Sequence, residues 1–156
     1  MLLYRLAGTQ FSNDLSGEGA RLHGGRWNPK GVPVVYTSES TSLAVLELLV
    51  NVPRDLVEAD VFHRIIIHVP DDAVIQTVDV TTLPPNWEKF PPPKLLASYG
   101  QDWSKIGAAL LLKVPSAVVG GSEWNYLINP LHLLAASVTI LESAPFSFDQ
   151  RLFRVK

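Results

Sequence analysis

A single arginine, Arg26, stands in an unusual local context within the segment "LHGGRWNPKG". Two glycines precede it, and glycine permits a positive φ or the close approach of another group. After it, Asn28-Pro29-Lys30-Gly31 has the residues of a type I turn, with Pro29 setting φ and Gly31 closing the turn. The segment is therefore either a hairpin connection with an exposed arginine or a rigid corner that presents a guanidinium to a phosphate or carboxylate.

A carboxylate, Glu47, lies in the middle of the segment "SLAVLELLV". This segment is apolar on nearly every face of a helix, so we expect the helix to be buried. At helical spacing the neighbours of Glu47 include Leu43, Ala44 and Val50. A carboxylate in such surroundings is costly unless it is paired, protonated or facing a cleft. Glu47 is then either the one solvent-facing residue of a narrow stripe or a functional carboxylate on the floor of a pocket.

Two further polar residues, Ser116 and Asn125, lie among apolar neighbours. Ser116 follows a proline in "LKVPSAVVGG" and lacks the G-x-S-x-G pattern of a hydrolase nucleophile. Its simplest role is a hydroxyl satisfied by nearby backbone at a strand kink. Asn125, in "GGSEWNYLINPLHLL", is suited either to bind a ligand amide or ribose or to cap a loop.

The sequence has no recognisable metal or nucleotide motif. His63 and His68 are five residues apart on one predicted strand, so they point to opposite faces and cannot bind one metal together. There is no H-E-x-x-H motif and no cysteine, and we predict no metal site. G-x-G-x-x-G and Walker A patterns are also missing, so a nucleotide would not be bound through a Rossmann or a P-loop motif.

Composition is that of an ordinary folded domain. The chain has 156 residues, of which 47% are hydrophobic and 18% charged, with a net charge of −2. It is long enough for one domain with a real core, and we expect a single domain over residues 1–156. Lysines and arginines form no run, so we expect no direct nucleic-acid binding. The N-terminal segment has no apolar signal region and no run is long enough to span a membrane, which predicts a cytoplasmic protein without membrane contact.

Hydrophobic patterning predicts more strands than helices. Strands are predicted for "MLLYRLA", residues 32–38, "DVFHRIIIHVP", "AVIQTVDV", "AALLLKVPSAVVGG" with a break at its proline, and "SVTILES". The segment "FDQRLFRV" is either a final strand or a tail. Helices are predicted for "STSLAVLELLVN", capped by Ser40 or Thr41, and for residues 101–106. Residues 83–94 carry five prolines and are predicted to form an ordered loop lying on the core. This order favours an α+β fold with a mostly antiparallel or mixed sheet.

Together these segments resemble the RES domain family, the toxins of RES–Xre bacterial toxin–antitoxin systems. "GGRWNPKGVPVVYTSESTSLAVLELL" resembles the first block of the family, with ten residues from Arg26 to Tyr36 and eleven from Tyr36 to Glu47. "LKVPSAVV" carries the family serine as Ser116, and "EWNYLINPLH" carries the family asparagine as Asn125. "FDQRLF" resembles the C-terminal end of the family.

The resemblance implies an ADP-ribosyltransferase-like fold and an enzyme that degrades NAD. Arg26, Tyr36 and Glu47 would form the catalytic trio, and Arg26, Tyr36, Ser116 and Asn125 would bind NAD. NAD would be the substrate, with no further cofactor. Hydrolysis or phosphorolysis of the nicotinamide–ribose bond is the first expectation. Mono-ADP-ribosylation of a protein target and a non-catalytic module that only binds a partner are the alternatives.

A toxin that empties the NAD pool must be silenced in its own cell. The sequence shows no segment resembling a removable lid, and no helix-turn-helix or basic stripe that would regulate its own gene. The resemblance implies that a separate Xre-type DNA-binding antitoxin supplies both functions.

Overall fold

The computed structural model describes residues 1–153, which form a seven-stranded sheet and four α-helices. The strands are β1 (Leu2–Gly8), β2 (Val35–Ser38), β3 (Phe62–His68), β4 (Ile75–Thr77), β5 (Leu111–Pro115), β6 (Trp124–Ile128) and β7 (Thr139–Phe146). The helices are α1 (Glu18–His23), α2 (Thr41–Asn51), α3 (Arg54–Ala59) and α4 (Lys94–Ile106). The mixture of helices and strands confirms the α+β class predicted from the sequence.

The sheet has the strand order β4-β5-β6-β2-β1-β3-β7. The β4–β5 pair is parallel and every other pair is antiparallel, so the sheet is mixed, as predicted. At its centre β1 and β2 pair only through Tyr4 and Ser38, whereas β1 pairs with β3 along its whole length. The sheet is thus two antiparallel ladders that meet at one residue pair.

Apolar residues cover both faces of the sheet. Alternation along β5 places Leu111 in one core cluster and Leu112 in the other, and the same alternation divides Leu127 and Ile128 of β6. The second cluster also contains Trp87 from the proline-rich segment, which confirms that residues 83–94 lie on the core as an ordered loop.

Helix α2 begins as predicted but is not buried all round. The Ser40 hydroxyl accepts a hydrogen bond from the backbone N–H of Leu43 at 3.1 Å, which caps the helix. Leu43 and Ala44 are buried against the sheet, whereas the outer side of the helix is exposed, with Val50 62% accessible. The expectation of a buried helix was wrong because α2 lies on the protein surface with only one covered face.

Helix α4 is longer than the predicted segment 101–106, since it begins at Lys94, directly after the prolines. An internal glycine, Gly100, weakens the helical signal in the sequence. The fold requires that glycine: a Cβ placed there would lie 1.8 Å from the carbonyl oxygen of Trp27. Close packing against the Arg26 segment therefore outweighs helix propensity at this position.

Three elements escaped prediction. Helices α1 and α3 have six residues each and begin after Gly17 and Pro53, without a side-chain cap that the sequence would reveal. Strand β6 is the segment from Trp124 to Ile128, whose alternation was hidden by its polar asparagine. At the C-terminal end, residues 150–153 form a 3₁₀ turn rather than a strand, and the rest of the predicted "FDQRLFRV" element lies outside the described residues.

We expect Gly100→Ala to lower the free energy of unfolding by about 1–3 kcal/mol, because the added methyl group overlaps the Trp27 carbonyl and forces α4 and the Arg26 segment apart. Urea denaturation measures the change. Gly19→Ala is the matched control, since its Cβ would meet nothing within 4 Å and the protein should be equally or slightly more stable. Equal stability of the two variants would contradict the packing argument.

Candidate active site

Four of the residues singled out in the sequence, Arg26, Tyr36, Glu47 and Asn125, line one cavity of about 910 Å³. A smaller cavity of about 210 Å³ shares Tyr36, Glu47 and Asn125 with it. The smaller cavity is bordered by β1 and β2, which diverge from their single pairing point. The break between the two ladders therefore opens the space in which these side chains meet.

Glu47 faces the interior because of its position on α2. Residues three and four positions apart share a helix face, so Glu47 lies on the face of the buried Leu43 and Ala44. Its side chain is half-buried and reaches the cavity rather than bulk solvent. Of the two readings of Glu47, the structure thus favours a carboxylate on the wall of a pocket.

Two side chains fix the Glu47 carboxylate. The Ser116 hydroxyl and the Asn125 amide nitrogen both donate to Oε1, at 2.7 Å and 2.5 Å. The Asn125 amide oxygen accepts from the hydroxyl of Ser38, its cross-strand partner, at 2.7 Å, which directs the amide nitrogen toward Glu47. Within residues 1–153 no hydrogen bond reaches Oε2, and that oxygen is available to a ligand.

Ser116 lies behind Glu47 rather than on the cavity surface. It is completely buried just beyond the end of β5, and its hydroxyl also accepts from the backbone N–H of Val118 at 3.2 Å. Its geometry combines the backbone-satisfied serine expected from sequence with a contact to the carboxylate. A direct contact between Ser116 and a ligand in the cavity would require Glu47 to move aside.

The arginine segment is a tight turn of four residues, Gly25 to Asn28. Gly25 and Asn28 exchange backbone hydrogen bonds in both directions, which leaves Arg26 and Trp27 at the tip. Trp27 is buried, while Arg26 is half-buried and points into the cavity. The structure thus favours the rigid corner over an exposed hairpin connection.

The predicted turn over residues 28–31 is wrong by one residue. The observed turn runs from Pro29 to Val32, whose N–H donates to the Pro29 carbonyl, and Gly31 takes a φ of 95° at its third position. The shift arises because the side chain of Asn28 is buried and bonds to the backbone of the preceding helix, α1, and of Val32.

The Arg26 guanidinium is anchored by backbone carbonyls of the proline-rich loop. Nη1 donates to the carbonyls of Trp87 at 2.6 Å and Lys89 at 3.1 Å, and Nη2 donates to that of Glu88 at 3.4 Å. Burial lowers the pKa of Arg26, and the neighbouring Glu47 carboxylate is the main opposing influence. Arginine stays charged despite such a shift. The cavity therefore holds a fixed cation and a fixed carboxylate.

Tyr36 ties β2 to the arginine turn. Its hydroxyl donates to Oδ1 of Asn28 at 2.7 Å and accepts from the backbone N–H of Trp27 at 3.1 Å. Gly25 makes this contact possible, since a Cβ there would lie 2.7 Å from the Tyr36 hydroxyl. With the hydroxyl engaged in the turn, the ring is the part of Tyr36 that faces the cavity.

Comparison with known proteins assigns this arrangement to a family. The RES domain model matches residues 2–149. The chain belongs to the RES domain family. A protein named Toxin Res from Photorhabdus laumondii is 37% identical over 161 aligned residues, covering 100% of this chain and 99% of that protein. A protein named Prs ADP-ribosylating toxin from Sphingobium sp. is 36% identical, covering 95% of this chain and 92% of that protein.

A solved structure shares the fold of this chain. The structure titled as the M. tuberculosis MbcT–MbcA toxin–antitoxin complex aligns with a TM-score of 0.74 at 21% identity, covering 94% of this chain and 84% of the matched chain. The agreement confirms the fold predicted from the family resemblance.

Sequence reasoning missed a second cation in this RES domain. Arg5 of β1 lines both cavities, and its Nη1 donates to the carbonyl of Asp14 at 2.7 Å. Burial lowers the pKa of Arg5, with the Asp14 charge acting against the shift. The signal was present, because alternation places Arg5 on the same side of β1 as the buried Leu3 and Ala7.

Among residues 1–153, no group of three or more histidine, aspartate or glutamate side chains is arranged to hold a metal ion. In the same part of the chain, no helix combines the length and apolar character needed to cross a bilayer.

We expect Tyr36→Phe to lower the free energy of unfolding of the RES domain by about 1–3 kcal/mol, because Oδ1 of the buried Asn28 loses its donor. Tyr99→Phe is the control. The Tyr99 hydroxyl accepts one bond, from Gln76 at 3.2 Å, so its removal should cost less. Thermal and urea unfolding of both variants measure the difference, and an equal loss would contradict the anchoring role of Tyr36.

The same residue predicts a pH dependence. Burial raises the pKa of Tyr36 above the ordinary tyrosine value of 10.0. The folded protein then binds the phenolic proton more tightly than the unfolded chain does, so this contribution to stability is complete below pH 10 and declines at higher pH. Between pH 9 and about 11, the melting temperature of wild type should fall more steeply than that of Tyr36→Phe. Parallel curves of melting temperature against pH for the two proteins would contradict this role of the Tyr36 hydroxyl.

Proposed function

We propose that this RES domain is the toxin of a toxin–antitoxin pair and cleaves the bond between nicotinamide and ribose in NAD. The observation that carries the proposal is the Glu47 carboxylate, which is held through Oε1 by Ser116 and Asn125, accepts no hydrogen bond at Oε2 from residues 1–153, and lines a cavity that also holds Arg26 and Arg5. The cavity of about 910 Å³ lies in the size range of small-molecule and cofactor sites.

One carboxylate suffices for this reaction. Glycosidic cleavage passes through an oxocarbenium-like state, and ordinary sugars need a second carboxyl group to protonate the leaving oxygen. Nicotinamide leaves as a neutral base from a cationic ring, so no acid is required. Glu47 would bind a ribose hydroxyl and stabilise the positive charge at the ribose carbon. The half-buried site strengthens that attraction relative to water.

The bond changes balance without a further reagent. The bond between the ribose C1 and the nicotinamide nitrogen breaks, and its electron pair leaves with nicotinamide. A lone pair of the acceptor oxygen then forms the new bond to C1, and the proton of the acceptor passes to solvent. Water gives ADP-ribose, and phosphate gives ADP-ribose 1″-phosphate.

The cations of the cavity suit the pyrophosphate of NAD. Arg26 bonds to carbonyls with three donors, and a guanidinium has five N–H groups, so two remain for an anion. Arg5 adds a second positive charge on the same cavity. The ring of Tyr36 would pack against nicotinamide or contact its ribose. NAD is the substrate in this scheme, and the chemistry needs no cofactor.

Transfer of ADP-ribose to a protein is the second candidate, favoured by the relative named Prs ADP-ribosylating toxin. Both reactions share the first step and the same residues. Chromatography of the products formed by purified protein and labelled NAD, with and without phosphate and with candidate protein acceptors, separates them. Free ADP-ribose or its phosphate supports NAD degradation, label on protein supports transfer, and unchanged NAD would contradict both.

We expect Glu47→Gln to keep the fold and to lower kcat by roughly 10²-fold or more, because the amide keeps the shape and removes the charge facing the cation. Its oxygen can still accept from Ser116 and Asn125. Ser116→Ala should be milder, since the serine orients the carboxylate and attacks nothing. Rates of NAD loss at equal folded concentration test both. A wild-type rate in Glu47→Gln would refute its role, and a covalent intermediate on Ser116 would refute the mechanism.

We also propose an Xre-type antitoxin as the partner, acting in the cytoplasm. The relation to the MbcT–MbcA complex supports an antitoxin, and in this proposal the antitoxin covers the cavity mouth formed by the Gly24–Gly31 loop. An antitoxin carboxylate on Arg26 would mimic the pyrophosphate.

Co-expression of the antitoxin should therefore restore growth, and the purified complex should fail to bind NAD in calorimetry. The free toxin serves as the control. A complex that consumes NAD at the rate of the free toxin would contradict occlusion and would place control at the level of toxin abundance.

A further inference from the structure

One large aromatic residue, Phe90, lines the cavity and remains 87% exposed. Three residues earlier the indole of Trp87 is buried in the core. Exposure of a whole phenyl ring to water is unfavourable, so this ring at the cavity wall indicates a surface that a ligand can cover.

The backbone around Phe90 is fixed on both sides. The three carbonyls immediately before it, those of residues 87, 88 and 89, all accept hydrogen bonds from the Arg26 guanidinium. Three prolines follow it and lead directly into α4. The exposed ring is therefore presented by a rigid frame, which reduces the ordering cost of stacking a ligand on it.

We propose that Phe90 stacks on the adenine ring of the dinucleotide. Arg26 is the residue that positions Phe90, through its hydrogen bonds to the preceding backbone. The inference rests on the proposed reaction with NAD. The ligand group that Phe90 would contact is a flat heteroaromatic base, because every nucleobase presents a π-face to an aromatic side chain.

The lining of the two cavities favours adenine over nicotinamide as the ring that Phe90 contacts. Glu47, the group assigned to the nicotinamide ribose, borders both cavities, whereas Phe90 borders only the larger one. Arg26 lines the larger cavity with Glu47 and donates to the carbonyl of Lys89, the residue directly before Phe90, so the guanidinium lies beside Phe90. In the proposed binding mode the carboxylate, the guanidinium and the phenyl ring take the nicotinamide ribose, the pyrophosphate and the adenine of NAD.

The test compares NAD with nicotinamide mononucleotide, which contains the same scissile bond and lacks the adenylate half. In Phe90→Ala, we expect KM for NAD to rise about tenfold, equivalent to about 1.4 kcal/mol, with kcat nearly unchanged. KM for the mononucleotide, or its inhibition constant if it is turned over slowly, should stay at the wild-type value. Phe90→Tyr should restore the KM for NAD.

Leu133→Ala is the matched control. Leu133 is 97% exposed and does not line the cavity, so its removal takes away a similar apolar surface without changing KM. Melting temperatures of all variants verify that they are equally folded.

The outcomes separate the inference from the proposed function. An unchanged KM for NAD in Phe90→Ala would overturn the stacking role. The exposed ring would then be assigned to contact with a partner protein instead. Equal losses for NAD and the mononucleotide would overturn the assignment to adenine. Failure of the wild-type protein to consume or bind NAD would instead contradict the proposed function itself.

Discussion

The contact on which the site depends is the pair of hydrogen bonds that Ser116 and Asn125 donate to Glu47. The carboxylate comes from the helix after β2, the hydroxyl from the end of β5 and the amide from β6, so the contact exists only when α2 packs on the correctly registered sheet. Ser38 adds a further hydrogen bond to this network, because its cross-strand pairing with Asn125 determines which way the Asn125 amide points. Displacement of β2 by one residue would separate Ser38 from Asn125 and remove the contact that directs the amide toward Glu47.

The division of the sheet explains why the cavity lies where it does. A continuous ladder between β1 and β2 would satisfy their backbone groups and close the space between them. They pair only at Tyr4 and Ser38, and the side chains of Arg5 and Tyr36 then border the opening between the two ladders. One core cluster contains residues of both ladders, Leu3 and Ile65 on one side and Val35 and Ile128 on the other, so the two ladders are packed on a shared core although their pairing is broken.

Local signals predicted much of this structure, and long-range contacts account for the rest. The Ser40 cap, the β-branched run of β3 and the proline-rich loop each have a physical cause within a few residues, and each was predicted correctly. The length of α4 and the position of the turn after Asn28 depend on contacts with distant backbone, at Trp27 and at α1.

The candidate site shows the same division. The family resemblance grouped Arg26, Tyr36 and Glu47, whereas the hydrogen bond between Glu47 and Ser116 joins residues 69 positions apart and follows only from the fold. Arg5 was not singled out from the sequence, although the alternation of β1 places it on the same side as the buried Leu3 and Ala7.

The electrostatic design of the site follows from what Arg26 and Glu47 do not contact. The ion pairs found within residues 1–153 include neither Arg26 nor Glu47. Neutral partners hold both instead: backbone carbonyls fix the guanidinium, and a hydroxyl and an amide fix the carboxylate. A direct salt bridge would cancel the two fields and draw the groups together. Separated in one cavity, they present a positive and a negative region to the same ligand, as the proposed reaction requires: an anionic pyrophosphate to bind, and a ribose carbon that becomes positive as nicotinamide leaves.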